Sequence, residues 1–223
     1  MKSEKISELT TNRLSVYLRC LTELESEGRR FISSGALAAR YNLTSAKIRK
    51  DIGTFGAFGV RGLGYDVKAL RSHLTKILGL DRIYRVCIVG SGRIGTALAD
   101  YYSLTSQNFK VSALFDVDRR KVGKTAGEIE IHDTKYFAEI VKRDKIEVAI
   151  IAVPAEAAKS ALDLVVASGI RAVMNLAPVP LTVASNVKLK TVDLTTSLES
   201  LSYFLSRSAN GRKVKPTSGS VRK

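Results

Sequence analysis

The sequence predicts an α/β fold with an N-terminal winged helix-turn-helix domain and a C-terminal Rossmann domain. Short amphipathic helices and a glycine-rich segment occupy the first part of the chain, whereas strands alternate with helices in the second. A glycine pattern typical of dinucleotide-binding loops follows the first strand of that second part. The predicted domains are residues 1–82 and 83–206, followed by a basic, disordered tail at 207–223.

The composition is that of an ordinary soluble globular protein, with 45% hydrophobic and 26% charged residues in a chain of 223. No run approaches the roughly 18 apolar residues of a membrane span, and the polar N-terminus lacks the apolar region of a signal peptide. We therefore expect a cytoplasmic protein without a membrane partner. Cys20 and Cys87 both lie in apolar patterns, which favours buried thiols over a disulfide.

The positive charge is concentrated at the two ends of the chain. The formal net charge is +15. Residues 1–82 contain 15 Lys and Arg against 8 Asp and Glu, and residues 207–223 contain 6 against none. Residues 83–206 are nearly balanced, with 15 against 13. Solubility alone would not segregate charge in this way, so the basic ends indicate a phosphate-bearing partner.

The first 82 residues contain a helix-turn-helix pattern followed by a wing. Apolar periodicity predicts a helix at 12–27, a short helix through 37–39 that Ser33 or Ser34 caps, and a third helix at 45–52 that Thr44 caps. A turn at 41–43 joins the last two. Five glycines between 53 and 65 exclude a stable helix and suit a tight hairpin, and a fourth helix is predicted at 66–78.

The third helix is predicted to read DNA, because the N-terminal half of the second helix of such a motif faces base edges. Lys47 can reach guanine O6 and N7, while Arg49 or Lys50 holds phosphate. Arg61 near the wing tip can enter a minor groove. A basic helix face alone is more often simply solvated, but the turn, the wing and the regional charge agree. The predicted DNA-binding residues are Ser45, Lys47, Arg49, Lys50 and Arg61.

From residue 85 onward, the alternation of strands and helices predicts a parallel sheet covered on both faces. The predicted strands are 85–89, 111–115, 128–131, 146–153, 172–176 and 187–192. The predicted helices are 93–102, 134–142, 155–168 and 195–206.

The loop after the first of these strands carries the G-x-G-x-x-G pattern of dinucleotide-binding proteins. Gly90 permits the tight turn, Gly92 lets the backbone approach a pyrophosphate, and Gly95 lets the helix pack against the strand. Asp116 ends the second strand, 26 residues after Gly90, where an acid binds the adenosine ribose and favours NAD(H) over NADP(H). The basic residues at 119–121 leave open a 2′-phosphate site or a solvated loop.

Two further strand ends face the crevice in which open α/β sheets bind ligands, namely Val153-Pro154 and 175–178. Proline at such points also commonly marks the end of a strand without any role in ligand binding. The predicted cofactors are NADH and NAD⁺. The predicted cofactor-binding residues are Gly90, Ser91, Gly92, Arg93, Ile94, Gly95, Asp116, Lys121, Val153, Pro154, Asn175, Ala177 and Pro178.

We do not expect an enzyme, and we assign no catalytic residue and no metal site. Only about 30 residues remain after the Rossmann fold closes near Asp193, too few for a substrate domain. Neither His73 nor His132 is placed as a proton donor beside a nicotinamide. The alternatives are a small NAD-dependent oxidoreductase with a basic accessory domain and a sensor of another nucleotide, such as a CoA derivative. Asp116 argues against the latter.

Over roughly residues 11–206, the chain resembles the Rex family of bacterial redox-sensing transcriptional repressors. The resemblance is carried by these motifs: Arg49-Lys50-Asp51, Phe55-Gly56, Gly59, Arg61-Gly62-Leu63-Gly64-Tyr65, the Gly90–Gly95 loop, Ala97-Leu98-Ala99-Asp100-Tyr101, Phe115-Asp116-Val117-Asp118 and Asn175-Leu176-Ala177-Pro178.

The resemblance implies a homodimer in which the C-terminal helix, about Thr195–Leu205 here, is swapped across the two-fold axis. It also implies binding to an inverted-repeat DNA operator when NADH is low, release by NADH, and competition by NAD⁺. By position, the family's allosteric switch corresponds to Arg19, Tyr101 and Asp193. Two departures are Leu194, where some relatives place an aromatic residue near the nicotinamide, and Lys47, where relatives have a neutral residue.

Overall fold

In the computed structural model, residues 7–209 are described, and the chain divides into two compact units between Arg82 and Ile83. Most of the predicted tail lies outside the described residues. Its first three residues, 207–209, continue the last helix. The Arg207 guanidinium donates to the Tyr203 hydroxyl one turn earlier, at 2.8 Å, and lies over the Tyr203 ring, a pair that favours the helical conformation.

The N-terminal unit is a winged helix-turn-helix domain, as predicted. A three-stranded antiparallel sheet with the order β1-β3-β2 accompanies its helices. Its elements are α1 (Glu8–Ser26), β1 (Phe31–Ile32), α2 (Ser34–Ala39), α3 (Ser45–Gly53), β2 (Gly59–Val60), β3 (Gly64–Asp66) and α4 (Val67–Ile77). The sequence analysis did not predict β1, because two residues carry no periodicity.

Side-chain caps set where these helices begin. The hydroxyls of Ser7, Ser33 and Thr44 accept backbone N–H groups of α1, α2 and α3, and the Asp66 carboxylate does so for α4. The cap at Ser7 places the start of α1 four residues earlier than periodicity predicted. A single apolar cluster then packs the helices together; its fully buried members include Tyr17, Leu21, Leu37, Ile48, Ile52, Leu70 and Leu74.

The C-terminal unit is a Rossmann domain, which confirms the predicted fold class. Its elements are β4 (Tyr84–Val89), α5 (Arg93–Thr105), β5 (Phe109–Asp116), β6 (Thr125–Ala126), β7 (Ile129–Asp133), α6 (Phe137–Arg143), β8 (Val148–Ile151), α7 (Ala155–Ala167), β9 (Ala172–Asn175), β10 (Lys188–Thr191) and α8 (Leu194–Ala209). A single 3₁₀ turn, Thr134–Tyr136, precedes α6. The strand predicted at 146–153 is shorter than expected, because β8 contains only four residues.

The sheet order β10-β9-β8-β4-β5-β7-β6 reverses direction at β4. All neighbouring strands run parallel except β6, which pairs antiparallel with β7 at one edge and was not predicted. Because β5 leads away on one side of β4 and β8 on the other, a crevice opens beyond their carboxyl ends. Within residues 7–209, no helix is long and apolar enough to span a membrane.

Candidate cofactor and DNA-binding sites

The loop between β4 and α5 contains glycines at positions where the neighbouring atoms leave no room for a Cβ. Gly90 has a φ of +101°, and a Cβ there would collide with the Ala152 carbonyl and lie 2.9 Å from Val153 Cγ1. A Cβ on Gly95 would overlap the Gly90 carbonyl oxygen. The two glycines thus let α5 begin directly against the neighbouring strand ends.

Gly92 differs because its Cβ position faces open space, with no atom within 4 Å. It is the N-cap of α5, and no side chain caps the helix there. The first N–H groups of α5 therefore lack an intrahelical partner and point outward with the positive end of the helix dipole. Arg93 and Ile94 are exposed on this first turn. This arrangement can bind a phosphate group.

Asp116 lies at the end of β5 and is only 8% exposed. Its Oδ2 accepts from Ser91 N at 2.9 Å, Ser91 Oγ at 2.6 Å and Lys121 Nζ at 2.9 Å, and its Oδ1 accepts from Asp118 N at 2.9 Å. Burial alone would raise the pKa of Asp116, but these hydrogen bonds outweigh it and hold the pKa well below its usual value. The group is therefore a carboxylate, and Oδ1 has acceptor capacity left for a ligand hydroxyl.

The basic residues after β5 are largely paired with carboxylates. Lys121 donates to Asp116, and Arg120 forms a bidentate pair with Asp118 at 2.9 and 2.8 Å. Arg119 is exposed. A 2′-phosphate at this position would have to compete with Asp116 for Lys121 and would lie beside the carboxylate's own charge. The geometry therefore favours a ribose with free hydroxyls.

Asn175, a predicted cofactor contact, is enclosed by the loop that follows β9. Its side chain is fully buried, and it donates to the carbonyls of Ala177 and Val179 and accepts from Ala177 N, at 3.0 to 3.1 Å. Its side-chain amide thus holds the loop after β9 in place. Ala177 is buried beneath that loop, and Pro178 is exposed on it. Val153 is half-buried and Pro154 exposed at the corresponding end of β8.

The predicted DNA-reading helix α3 has one buried and one exposed face. Ile48 and Ile52 belong to the apolar core, whereas Lys47, Arg49 and Lys50 are exposed. Arg49 donates to the Ser34 hydroxyl of α2 at 3.1 Å, which ties the two helices of the motif together. Ser45 is half-buried in the first turn, directly after the cap Thr44. The three cations therefore share the surface that a DNA groove can reach.

Arg61 lies exposed in the turn between β2 and β3, as the predicted wing requires. Gly64, with a φ of +91°, makes the wing possible, because a Cβ there would collide with the Ile32 carbonyl on β1. The close approach of β3 to β1 thus fixes where the hairpin emerges.

Sequence reasoning missed an ionic cluster behind α3. Asp51 accepts from Arg13 Nε at 2.5 Å and Nη2 at 2.8 Å, and from the Tyr17 hydroxyl at 2.9 Å. Asp51 is only 4% exposed. The sequence contained one signal, an acidic residue at a core-facing position of a basic helix. Its partners on α1 are 34 and 38 residues away and could not be read from spacing.

The three predicted switch residues lie in both units. Arg19 is exposed on α1 of the N-terminal unit. Tyr101 is exposed on α5, with its ring edge-on to Tyr102 at 5.4 Å, whereas Tyr102 is partly buried in the core. Asp193 caps α8, accepting from Thr195 N at 2.8 Å and from Thr196 N and Oγ1 at 3.2 and 2.9 Å. These bonds lower the Asp193 pKa.

Among residues 7–209, helix α8 stands out because its large apolar side chains are exposed. Its large apolar side chains are 58–67% exposed, and they are Leu194, Leu198, Leu201, Tyr203, Phe204 and Leu205. A soluble protein rarely leaves a contiguous apolar surface of this kind in water, so the helix indicates an interface.

Two family models match the chain. Residues 5–52 match a model described as a putative DNA-binding protein N-terminus, and residues 81–179 match one described as a CoA binding domain. The first covers the helix-turn-helix, and the second covers the glycine loop and most of the parallel sheet.

Curated relatives and solved structures extend the similarity over nearly the whole chain. The redox-sensing transcriptional repressor Rex of Syntrophomonas wolfei is 43% identical over 92% of this chain and 98% of its own, and that of Desulfitobacterium hafniense is 41% identical over 91% and 97%. A crystal structure of RSP with β-NAD⁺ and operator DNA is similar at 35% identity, covering 93% of this chain and 96% of RSP, with a TM-score of 0.88. The crystal structure of RSP with β-NADH is 34% identical in sequence, covers 96% of this chain and 100% of RSP, and has a TM-score of 0.84. RSP is described as a Rex-family repressor. This chain belongs to the Rex family of redox-sensing transcriptional repressors.

Proposed function

We propose that this protein is a homodimeric repressor that binds an inverted-repeat DNA operator when NADH is low and leaves it when NADH binds. The observation that carries the proposal is that one chain of the Rex family combines an exposed basic α3 with a glycine loop built for a dinucleotide. The relative RSP has been crystallised with NADH and with NAD⁺ and operator DNA.

The C-terminal unit would hold NAD(H) across the carboxyl ends of its strands. The pyrophosphate fits the open space at Gly92 and the free N–H groups of α5, with Arg93 and Ile94 beside it. Asp116 Oδ1 would accept from the adenosine ribose, while Ser91 and Lys121 keep its carboxylate charged and oriented. The nicotinamide would then lie against Val153, Pro154, Pro178 and the loop that Asn175 holds over Ala177.

Helix α8 would supply the dimer interface by crossing to the partner subunit. Its exposed apolar stripe needs a complementary surface, and a two-fold dimer provides the same surface twice. Two winged helices held in such a dimer can contact half-sites one helical turn apart, which accounts for an inverted-repeat operator. In each half-site Lys47 would reach base edges, Ser45, Arg49 and Lys50 would contact bases or phosphates, and Arg61 would enter the minor groove.

NADH and NAD⁺ differ by a hydride, and the oxidised nicotinamide carries a positive charge. A ligand shifts an equilibrium between two states only by its different affinity for them. We infer that the apolar nicotinamide site forms fully in the DNA-free state, where desolvation disfavours NAD⁺. Arg19, Tyr101 and Asp193 would exchange partners between the two states. Asp193 would have to release the cap of α8 to accept a new donor.

We propose that the protein acts in the cytoplasm, where both DNA and NAD(H) are available. We also propose that it carries out no hydride transfer. Its relatives are named as transcriptional repressors, although dehydrogenases share the Rossmann fold. The CoA binding family model makes a CoA derivative the second candidate ligand. The buried, charged Asp116 favours a ribose with free hydroxyls instead.

The test is fluorescence anisotropy of a labelled operator at fixed salt. An operator selected by the protein from a random duplex pool would be titrated separately with NADH, NAD⁺ and CoA. We expect release by NADH alone. Equal operator affinity with saturating NADH and NAD⁺ would contradict redox sensing, and release by CoA would support the second candidate. NADH oxidation by small carbonyl compounds, followed at 340 nm, would support an oxidoreductase.

A further inference from the structure

The ionic cluster formed by Asp51, Arg13 and Tyr17 connects the recognition helix to α1 at a buried point. Arg13 binds both oxygens of the Asp51 carboxylate through Nε and Nη2, and Tyr17 donates to Oδ2. Nη2 of Arg13 also donates to Thr10 Oγ1 at 3.1 Å. Arg13 and Tyr17 are one turn apart on α1, so they share a face toward α3.

The cluster lies directly behind the basic surface of α3. Lys47 precedes Asp51 by one helical turn. Burial alone would raise the Asp51 pKa, but hydrogen bonds from Arg13 and Tyr17 outweigh it, and the Lys47 charge adds to the lowering. The charge of Asp51 thus acts on the same side chain that is proposed to reach base edges.

Without Arg13, α3 would carry a buried carboxylate with a single hydroxyl donor. An uncompensated buried charge is strongly destabilising, so the carboxylate would turn toward water or toward Lys47. Either movement shifts the helix or draws Lys47 away from DNA, and the exposed negative charge would repel phosphates.

We propose that Arg13, assisted by Tyr17, is a positioning residue that neutralises and orients Asp51 and so holds α3 in the register that reads the operator. This inference rests on the proposed function, because it assumes that α3 reads DNA. It predicts that losing Arg13 harms recognition of sequence more than attraction to phosphate, and that removing the Asp51 charge as well reverses the harm.

The experiment compares Arg13→Met, Asp51→Asn, their double variant and Tyr17→Phe with the wild type. Each would be titrated against the selected operator and a scrambled duplex of the same length, over a series of KCl concentrations. NADH binding by the C-terminal unit and the thermal midpoint serve as controls. Methionine keeps the apolar stem of Arg13, and asparagine keeps an acceptor for Tyr17.

We expect Arg13→Met to weaken operator binding about tenfold, with the scrambled duplex and the salt slope unchanged. The double variant should recover to within about threefold of the wild type, and Tyr17→Phe should lose about threefold on the operator alone. Three results would each overturn the proposal: equal losses of affinity on both duplexes, no recovery in the double variant, or a salt dependence of binding that is weaker by the amount expected for one lost phosphate contact. The last result would make Arg13 a DNA contact.

Should Arg13→Met fail to fold, Tyr17→Phe with unchanged operator preference would still overturn the proposal and leave the cluster a purely structural one. A random pool from which the wild type enriches no sequence would refute the proposed function, and this inference with it. NADH-dependent release of the wild type with none of the expected variant effects refutes the inference alone.

Discussion

At the scale of single residues, the structure separates side chains that have an acceptor free at the crevice from side chains that are enclosed by the fold. Asp116 has an acceptor available at the crevice, whereas the side-chain amide of Asn175 is fully buried and bonds within the loop after β9. Both had been predicted as contacts from their places at strand ends. The distinction depends on burial and on hydrogen-bond partners, which a linear pattern does not contain.

Replacing Asp116 tests the ribose contact. Asp116→Ala should weaken NADH binding about tenfold or more, because a charged acceptor for the ribose hydroxyls is lost. It should also improve the affinity for NADPH relative to NADH, since Lys121 is freed. NADH binding is followed by the fluorescence of the cofactor itself, because the chain contains no tryptophan whose quenching could report it. Arg119→Ala is the control. Unchanged NADH affinity in Asp116→Ala would refute the ribose role.

Replacing two glycines of the same loop with alanine should affect two different properties, stability at Gly95 and NADH binding at Gly92. Gly95→Ala should lower the free energy of unfolding by about 3 kcal/mol, because its Cβ overlaps the Gly90 carbonyl. Gly92→Ala should leave stability nearly unchanged but weaken NADH binding, because its Cβ enters the space proposed for the pyrophosphate. Thermal unfolding and NADH titration measure the two effects. Full NADH affinity in Gly92→Ala would place the pyrophosphate elsewhere.

At the scale of secondary-structure elements, α3 and α8 have exposed faces of different chemistry. The exposed face of α3 is cationic, whereas that of α8 is apolar. Charge attracts DNA at long range, and apolar area stabilises an interface only after contact. The two faces therefore indicate different partners, a nucleic acid and a second subunit.

Lys47 and Lys50 provide a matched pair on α3. Lys47→Ala should reduce operator affinity about tenfold while changing scrambled DNA little, because a base contact carries sequence information. Lys50→Ala should weaken both duplexes to a similar extent if it contacts phosphate. Anisotropy titrations at one salt concentration compare the two. An equal loss on both duplexes for Lys47→Ala would reassign it to phosphate.

A charge on the apolar stripe of α8 should disrupt the proposed dimer. Leu201→Asp would place a carboxylate in a desolvated interface, so we expect monomers at concentrations where the wild type is dimeric. Ser206→Asp adds the same charge on the polar side of the helix, which also carries Glu199 and Ser202, and should leave the dimer intact. Sedimentation equilibrium measures both. A dimeric Leu201→Asp protein would exclude this face as the interface.

At the scale of the whole molecule, the protein joins a winged helix-turn-helix unit to a Rossmann unit in one chain. If two ligands favour different states of one protein, each must reduce affinity for the other. Redox sensing is therefore a property of the coupling between the units and belongs to neither alone.

This reciprocity gives a quantitative prediction. If NADH lowers operator affinity by some factor, saturating operator must lower NADH affinity by the same factor. NADH titrations with and without operator, compared with operator titrations with and without NADH, measure the two factors. NAD⁺ should give a much smaller factor in both directions. Operator-independent NADH affinity in a protein that NADH releases from DNA would contradict a two-state equilibrium.

The fold class, most helices and strands, the glycine loop and the basic face of α3 could be predicted from the sequence, because they depend on local periodicity and on residues close in the chain. Which side chains have free atoms at the crevice, that Asn175 is enclosed, and that Asp51 meets Arg13 and Tyr17 became visible only in the folded chain. Those contacts join residues far apart in sequence, and burial selects them. The two-residue strands β1 and β6 likewise form only because a neighbouring strand pairs with them.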